Sequence, residues 1–161
     1  MNDQIVPVEP GELCDRDLSL ILESFGINQV HRTPTYQFQM RRTQTGETLG
    51  TIRLRIGSSE HIHRYAGHIG YSVLPEHRGH RMAARSVLLL TPLAAKLEID
   101  PLWITCDPEN MASRRSLELA GAEFVEIVEV PSDCIIHQSG HPKKCRYRLS
   151  TGDSAQLHCG S

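Results

Sequence analysis

Between residues 36 and 56 apolar and polar side chains alternate with a period of two. Tyr36, Phe38 and Met40 alternate with Gln37, Gln39 and Arg41, and Ile52, Leu54 and Ile56 alternate with Arg53 and Arg55. That spacing sends one set to a buried face and the other away from it. The stretch TQTGET between them supplies a turn, with Gly46 free to take a positive φ, so the two segments predict an antiparallel hairpin. A third strand is predicted over AGHIGYSVL, ended by Pro75. Upstream, GELCDRDLSLILESFG has apolar residues at Leu13, Leu18, Leu20, Ile21, Leu22 and Phe25, acidic residues near its start and Gly26 at its close. It predicts a short amphipathic helix.

Downstream, a helical pattern runs from Arg81 to about Leu97. Pro92 in its interior is expected to kink or shorten it. PLWITC is a continuous apolar run with a β-branched centre and reads as a strand buried on both faces. DPENMASRRSLELAGA predicts a second helix, with Asp107 as N-cap and Gly121 as its closing glycine. EFVEIVEV and CRYRLS read as strands, SSEHIHRY as a polar connection and PSDCIIHQSGHPKK as a long loop. The order helix, three strands, helix, strand, helix, two strands gives an α+β (mixed α/β) fold around one central sheet. It fits a single domain over residues 1–150, followed by a loose polar tail at 151–161.

Composition narrows the function classes. Of 161 residues, 39% are hydrophobic and 22% charged, which is a globular rather than a disordered balance. The net charge of −2 speaks against a protein that coats nucleic acid. No apolar run has the length to cross a bilayer, and the first residues lack the layout of a signal peptide. Five scattered cysteines without an export signal predict reduced thiols in a cytoplasmic protein.

The chemistry concentrates in PEHRGHRMAARS, Pro75 to Ser86. A strand that stops at a turn, followed at once by a helix, leaves backbone N–H groups pointing outward at the positive end of the helix dipole. That is an anion site. Gly79 lets the turn bend, and Arg78 and Arg81 can add charge-assisted bonds to phosphate oxygens. The plain alternative is a solvated, basic helix start. A Walker loop and a dinucleotide fingerprint are both excluded, since neither the glycine-lysine-serine/threonine ending nor three spaced glycines are present.

GYSVLPEHRGHRMAARSVLLL, a buried strand and then DPENMASRRSLELAGAEFVE together resemble the GNAT superfamily of acyl-CoA-dependent N-acetyltransferases, over roughly residues 36–149. In the family motif Gln/Arg-x-x-Gly-x-Gly/Ala, Arg78 matches the first position and Ala83 the last, while Arg81 stands where the family has its middle glycine. Asn110, Ser113 and Gly121 match the second motif, and Phe124 is displaced by two residues. The resemblance implies a mostly antiparallel sheet, splayed at the cofactor site and flanked by helices. It implies acetyl-CoA as acyl donor, held by the backbone of Tyr71, Ser72, Val73 and Leu74, by the turn and helix start from Arg78, Gly79, His80, Arg81, Met82 to Ala83, and by Asn110 and Ser113. The thioester carbonyl is expected at a backbone N–H near Tyr71 or Ser72, a donor for the tetrahedral oxyanion. Arg81 either pairs with a CoA phosphate or crowds the pyrophosphate.

The acceptor implied is a primary amine, on a small molecule or a protein N-terminus, attacking directly in a ternary complex. No metal, nucleic acid or membrane is expected, and a homodimer is compatible with this reading. An alkyl amine with a pKa of about 10 must lose a proton before it attacks. His68, just before IGY, is the candidate base, and the alternative is a strand residue with no catalytic part. The tyrosine that the family often carries on the second helix is absent, Leu117 standing at its position. Ser113 or Ser116 then becomes the candidate donor to the departing thiolate, which resembles the subgroup that acetylates ribosomal-protein N-termini. The competing function is a CoA-binding module on the same fold with weak or no catalysis. Cys134, His137, His141 and Cys145 have zinc-competent spacing, but their loop reads better as a polar border of the acceptor site.

Overall fold

The computed structural model describes residues 8–152. Eight strands form one sheet: β1 (Leu13–Asp15), β2 (Leu18–Ile27), β3 (Pro34–Arg42), β4 (Thr48–Arg55), β5 (Ile69–Val73), β6 (Leu102–Cys106), β7 (Glu123–Glu129) and β8 (Lys143–Leu149). Their order in space is β1-β2-β3-β4-β5-β6-β8-β7. All neighbours are antiparallel except β5 and β6. A parallel pair needs a long crossover, and helix α1 (Met82–Lys96) provides it. Helices α2 (Met111–Leu119) and α3 (Ile135–Gln138) complete the element order.

The β3–β4 hairpin forms as its alternation predicts. Tyr36, Phe38, Met40, Ile52 and Leu54 are all fully buried, and Phe38 lies opposite Ile52 in the register. Residues 11–26 differ from expectation. They form the β1–β2 hairpin instead of a helix, turning at Arg16 with a left-handed φ of 56°. The apolar set 18, 20, 22 satisfies a period of two as well as 18, 21, 22, 25 satisfies a helix. The free edge of β3 decides between them, pairing Leu20 with Met40 and Leu22 with Phe38.

Helix α1 runs through Pro92. Proline has no N–H for the carbonyl four residues back, that of Leu88, and the Thr91 hydroxyl donates to this oxygen instead, at 2.8 Å. Helix α2 is capped by Asn110, whose Oδ1 accepts from the Ser113 N–H at 3.0 Å. Asp107 is not the cap; it pairs with His141 and Lys144. Gly121 closes α2 as expected, with φ 88°. The bonds Gly121 N–H to Glu118 O and Ala122 N–H to Leu117 O form a Schellman end. Thr151, placed by sequence in the loose tail, is fully buried. It is tied to Asp100 and to the Ile99 carbonyl. Residues 153–161 lie outside the described chain.

Candidate active site

The site begins where β5 and β6 part. Ile69 and Ile104 are their single paired position. Beyond it β5 keeps only β4 as a neighbour, and antiparallel bonding alternates along a strand. The Arg55 N–H bonds the His68 carbonyl, and the Leu74 N–H bonds the Leu49 carbonyl. In the same register Gly70 and Ser72 turn their main chain to β4, and Tyr71 and Val73 turn theirs to the opening. The main-chain N–H that faces the opening is therefore that of Tyr71 rather than Ser72.

From Tyr71 a cleft of about 600 Å³ runs over β5 to the start of α1 and along α2. Ser72, Val73, Arg78, Gly79, Arg81, Met82, Ala83, Asn110 and Ser113 line it; Leu74 and His80 do not. His80 faces a separate groove between Asp17 and Arg85. Helix α1 opens at Met82, and its first residues, whose N–H groups have no partner within the helix, line the cleft; such a helix start suits an anion. Arg78 bends back, its Nε donating to the Val73 carbonyl at 3.0 Å. Arg81 is the residue before the helix, and its φ of 61° and ψ of 23° are left-handed rather than helical. That conformation explains why a glycine suits this position.

A second cavity, about 460 Å³, opens on the other side of Tyr71. The cleft and this chamber share three residues, Tyr71, Asn110 and Ser113. The Tyr71 hydroxyl lies 2.6 Å from Ser113 Oγ, and burial raises the phenol pKa to about 12. Two linked hydroxyls thus sit where cleft and chamber meet. Asn110 Oδ1 is spent on its cap bond, which leaves the amide NH2 for a ligand.

The chamber is rich in cations. Arg53 and Arg55 enter from β4, His31 from the β2–β3 connection, and His141 and Lys144 from the α3–β8 side. Lys144 and His141 both hold Asp107, at 3.2 and 2.7 Å. Burial works against its carboxylate, but the Lys144 charge and these bonds keep its pKa below the usual value. His31 Nδ1 meets His61 Nε2 at 2.8 Å. Burial, and then the Arg55 charge, lower both pKa values, His31 to about 4, so the pair is neutral at pH 7. Burial, and then Arg53, lower Arg55 to about 10.

His68 does not reach either cavity. It is 2% exposed. Its Nδ1 accepts from the Trp103 N–H at 2.9 Å, so Nε2 carries the proton and donates to the Gly57 carbonyl at 2.9 Å. The His68 N–H also bonds the Trp103 carbonyl. The ring is a clasp between the β5 and β6 segments just before they part, and burial lowers its pKa to about 4. Ser116 Oγ donates to the Ala112 carbonyl and lies near the Tyr71 hydroxyl as well, while Ser113 Oγ makes the short contact with Tyr71. Among the described residues, no three His, Cys, Asp or Glu side chains are placed to hold a metal ion. Of the zinc-spaced set, His141 pairs with Asp107, and Cys145 sits on β8 opposite Cys106.

Sequence reasoning missed His31, Arg53 and Arg55 as site residues. The two arginines were visible only as the polar face of β4. What covers that face, a wide helical turn at His61–Ala66 with the α3 segment beyond it, has no period to read.

A groove with an anion cradle at one end and a polar chamber at the other, joined between two splayed strands, is the layout of an acyl-CoA-dependent transferase. The acetyltransferase (GNAT) domain family matches residues 5–123, and the chain belongs to this family of acetyl-CoA-dependent N-acetyltransferases. No curated protein matches the sequence significantly. Among solved structures, a Vibrio cholerae protein provisionally described as a ribosomal-protein-serine acetyltransferase superimposes with a TM-score of 0.64 at 16% identity, covering 89% of this chain and 99% of that one. The ribosomal-protein-S5-alanine acetyltransferase of Vibrio fischeri gives 0.57 at 18% identity, over 74% of this chain and 63% of its own. RimL, a ribosomal L7/L12 alpha-N-protein acetyltransferase solved with coenzyme A, gives 0.56 at 14%, over 72% and 62%. At these identities the likeness is one of fold. Among the described residues no helix is long and apolar enough to cross a membrane.

Proposed function

We propose that the protein moves the acetyl group of acetyl-CoA directly to a primary amine seated in the chamber, the amine belonging to a small molecule or a protein N-terminus. The observation that carries this reading is the meeting of cleft and chamber at Tyr71, Asn110 and Ser113. The ribosomal-protein acceptors named for the structural neighbours support a protein N-terminus as one candidate.

The phosphates rest on the α1 N-terminus, and the pantetheine arm runs along the open edge of β5. To bond that arm, Arg78 gives up the Val73 carbonyl. The thioester carbonyl accepts from the Tyr71 N–H, which stabilises the oxyanion. The amine nitrogen attacks the carbonyl carbon, the C–S bond breaks, and the leaving thiolate accepts a hydrogen bond from the Tyr71–Ser113 pair and takes its proton from water. The amine loses its own proton to water or to the neutral His31–His61 pair. Arg53 and Arg55 assist, because nearby positive charge lowers an ammonium pKa.

Calorimetric titration with acetyl-CoA, followed by an assay of CoA release with a panel of amines, tests the reading. Binding with acceptor-dependent release is expected. Binding with no release for any amine would select the CoA-binding module instead, and no binding would remove both.

A further inference from the structure

In the proposed transfer Arg53 and Arg55 assist, yet among the described residues no carboxylate pairs with them. Elsewhere on the sheet Arg42 is matched by Asp17 and Glu47, Arg146 by Glu126 and Arg148 by Glu123, while Arg41 donates to the Gln39 amide. Arg53 and Arg55 have no carboxylate within 4.0 Å among the described residues. Arg53 Nε donates to the Gln37 amide at 3.3 Å. Arg55 Nη1 donates to the carbonyls of Ala66 and Gly67. Arg55 Nε is buried with no partner, although the residue is only 6% exposed. Burying an unpaired cation beside a like charge is costly, and such groups are normally paired. Lys144 and His141, the basic side chains on the α3–β8 side of the chamber, already share Asp107.

Geometry says where the missing anion belongs. Arg53 and Arg55 stand two apart on β4, so their side chains leave the same face. Arg53 lies opposite Gly70 in the register. A Cβ added to Gly70 would lie 3.0 Å from Arg55 Nη2 and 3.1 Å from Arg53 Nη1. Gly70 thus lets both guanidinium groups close over its bare α-carbon, on the chamber wall beside Tyr71. The next residue is Tyr71, whose N–H faces the thioester position. One strand residue advances about 3.3 Å, so an anion held by these guanidinium groups lies near an amine that attacks at Tyr71.

We infer that the acceptor carries a carboxylate within a few bonds of its amine, and that Arg53 and Arg55 hold this carboxylate in the chamber beside Tyr71. The inference rests on the proposed acetyl transfer. It narrows the acceptor to an amino acid or to a peptide whose first residues are acidic. The guanidinium pair supplies charge-assisted bonds that a neutral acceptor lacks.

The test compares matched acceptors that differ in charge alone: alanine against alaninamide, and a peptide beginning Ala-Asp against one beginning Ala-Asn. The acid form of at least one pair is expected to exceed its amide in kcat/KM by about 10- to 100-fold. The amide is the less basic amine and more of it is unprotonated, so intrinsic reactivity runs against that result. The pair that discriminates tells a free amino acid from a peptide. Arg53→Gln should bring the acid-to-amide ratio towards one, and Arg53→Glu should turn preference towards a diamine. Because Arg55 ties two carbonyls and its loss endangers folding, the milder Arg55→Lys is the second variant. A direct arm needs no turnover: alanine or the Ala-Asp peptide should raise the melting temperature more than its amide. Equal rates and equal shifts for acid and amide overturn the inference and leave acetyl transfer standing. Failure of acetyl-CoA to bind overturns the transfer reading, and this inference with it.

Discussion

The cleft and the chamber are built from different material. The cleft binds with main chain: the open edge of β5, the turn at Gly79 and the first N–H groups of α1. Any residue but proline carries those groups, so the cleft tolerates sequence change and needs only the right turns in the right order. The chamber binds with side chains drawn from distant parts of the chain, His31, Arg53, Asp107, His141 and Lys144 among them. Its far wall, from Ile135 to Lys144, lies beyond residue 123, where the family match ends. On the proposed function, the shared reaction would reside in the backbone of one region, and selectivity in the side chains of the other.

His68 clasps the point from which both regions diverge, so its removal should give the largest effect. His68→Leu strands the Trp103 N–H and the Gly57 carbonyl and is expected to cost about 2–4 kcal/mol of stability at pH 7. The pH dependence has a defined sign. The folded ring titrates at about 4 and a free histidine at about 6.5. Between these values the unfolded chain binds the extra proton. Stability is complete above pH 6.5 and falls, by about 3 kcal/mol for this residue, as pH drops towards 4. His31 has the same sign. Denaturant unfolding at pH 7 and at pH 5 should show a shallower acid decline in the variant, with part retained through His31. A well-folded variant that loses only turnover would return His68 to the role of base.

The next effect falls on the junction. Tyr71→Phe and Ser113→Ala each remove half of one hydroxyl pair, and each should lower kcat by about 10- to 100-fold while acetyl-CoA affinity changes little. Because the two hydroxyls act as one donor, the double variant should lose little more than either single one. Multiplied losses in steady-state kinetics would mean that the groups work separately.

Legibility followed the same division. Gly121 after α2 was readable, because helix ends impose local rules on sequence; the cap before α2 was read as Asp107 and is Asn110, which stood out only through the family resemblance. The β3–β4 hairpin was readable from its period. Residues 11–26 were not, since apolar positions there fit two periods and the edge of β3 settled the choice. The chamber was illegible for a deeper reason. Arg55 in a polar strand position looks solvated until the turn at His61–Ala66 is known to cover it. His68 looked like a free base until its two nitrogens were seen bonded to Trp103 and Gly57.

Arg81 is the exception that sharpens the contrast, because here the backbone region contains a side chain that works against its local conformation. A left-handed φ costs a non-glycine residue about 1 kcal/mol. Arg81→Gly relieves that cost but also loosens the unfolded chain, which offsets part of the gain. A rise of roughly 0.5 kcal/mol, or about 1–2 °C in melting temperature, is the expected net. The guanidinium lines the cleft beside the helix start, so its charge adds to an anion site that already works through N–H groups. Loss of the arginine should therefore weaken acetyl-CoA binding by only about 2- to 5-fold, and less in high salt, where the contribution of an exposed charge is screened. Calorimetry at two salt concentrations checks this. A variant that is more stable yet binds acetyl-CoA more weakly would show local strain retained for phosphate contact. A variant that binds more tightly would show the arginine obstructing the pyrophosphate, and the cleft would then owe its affinity to the backbone alone.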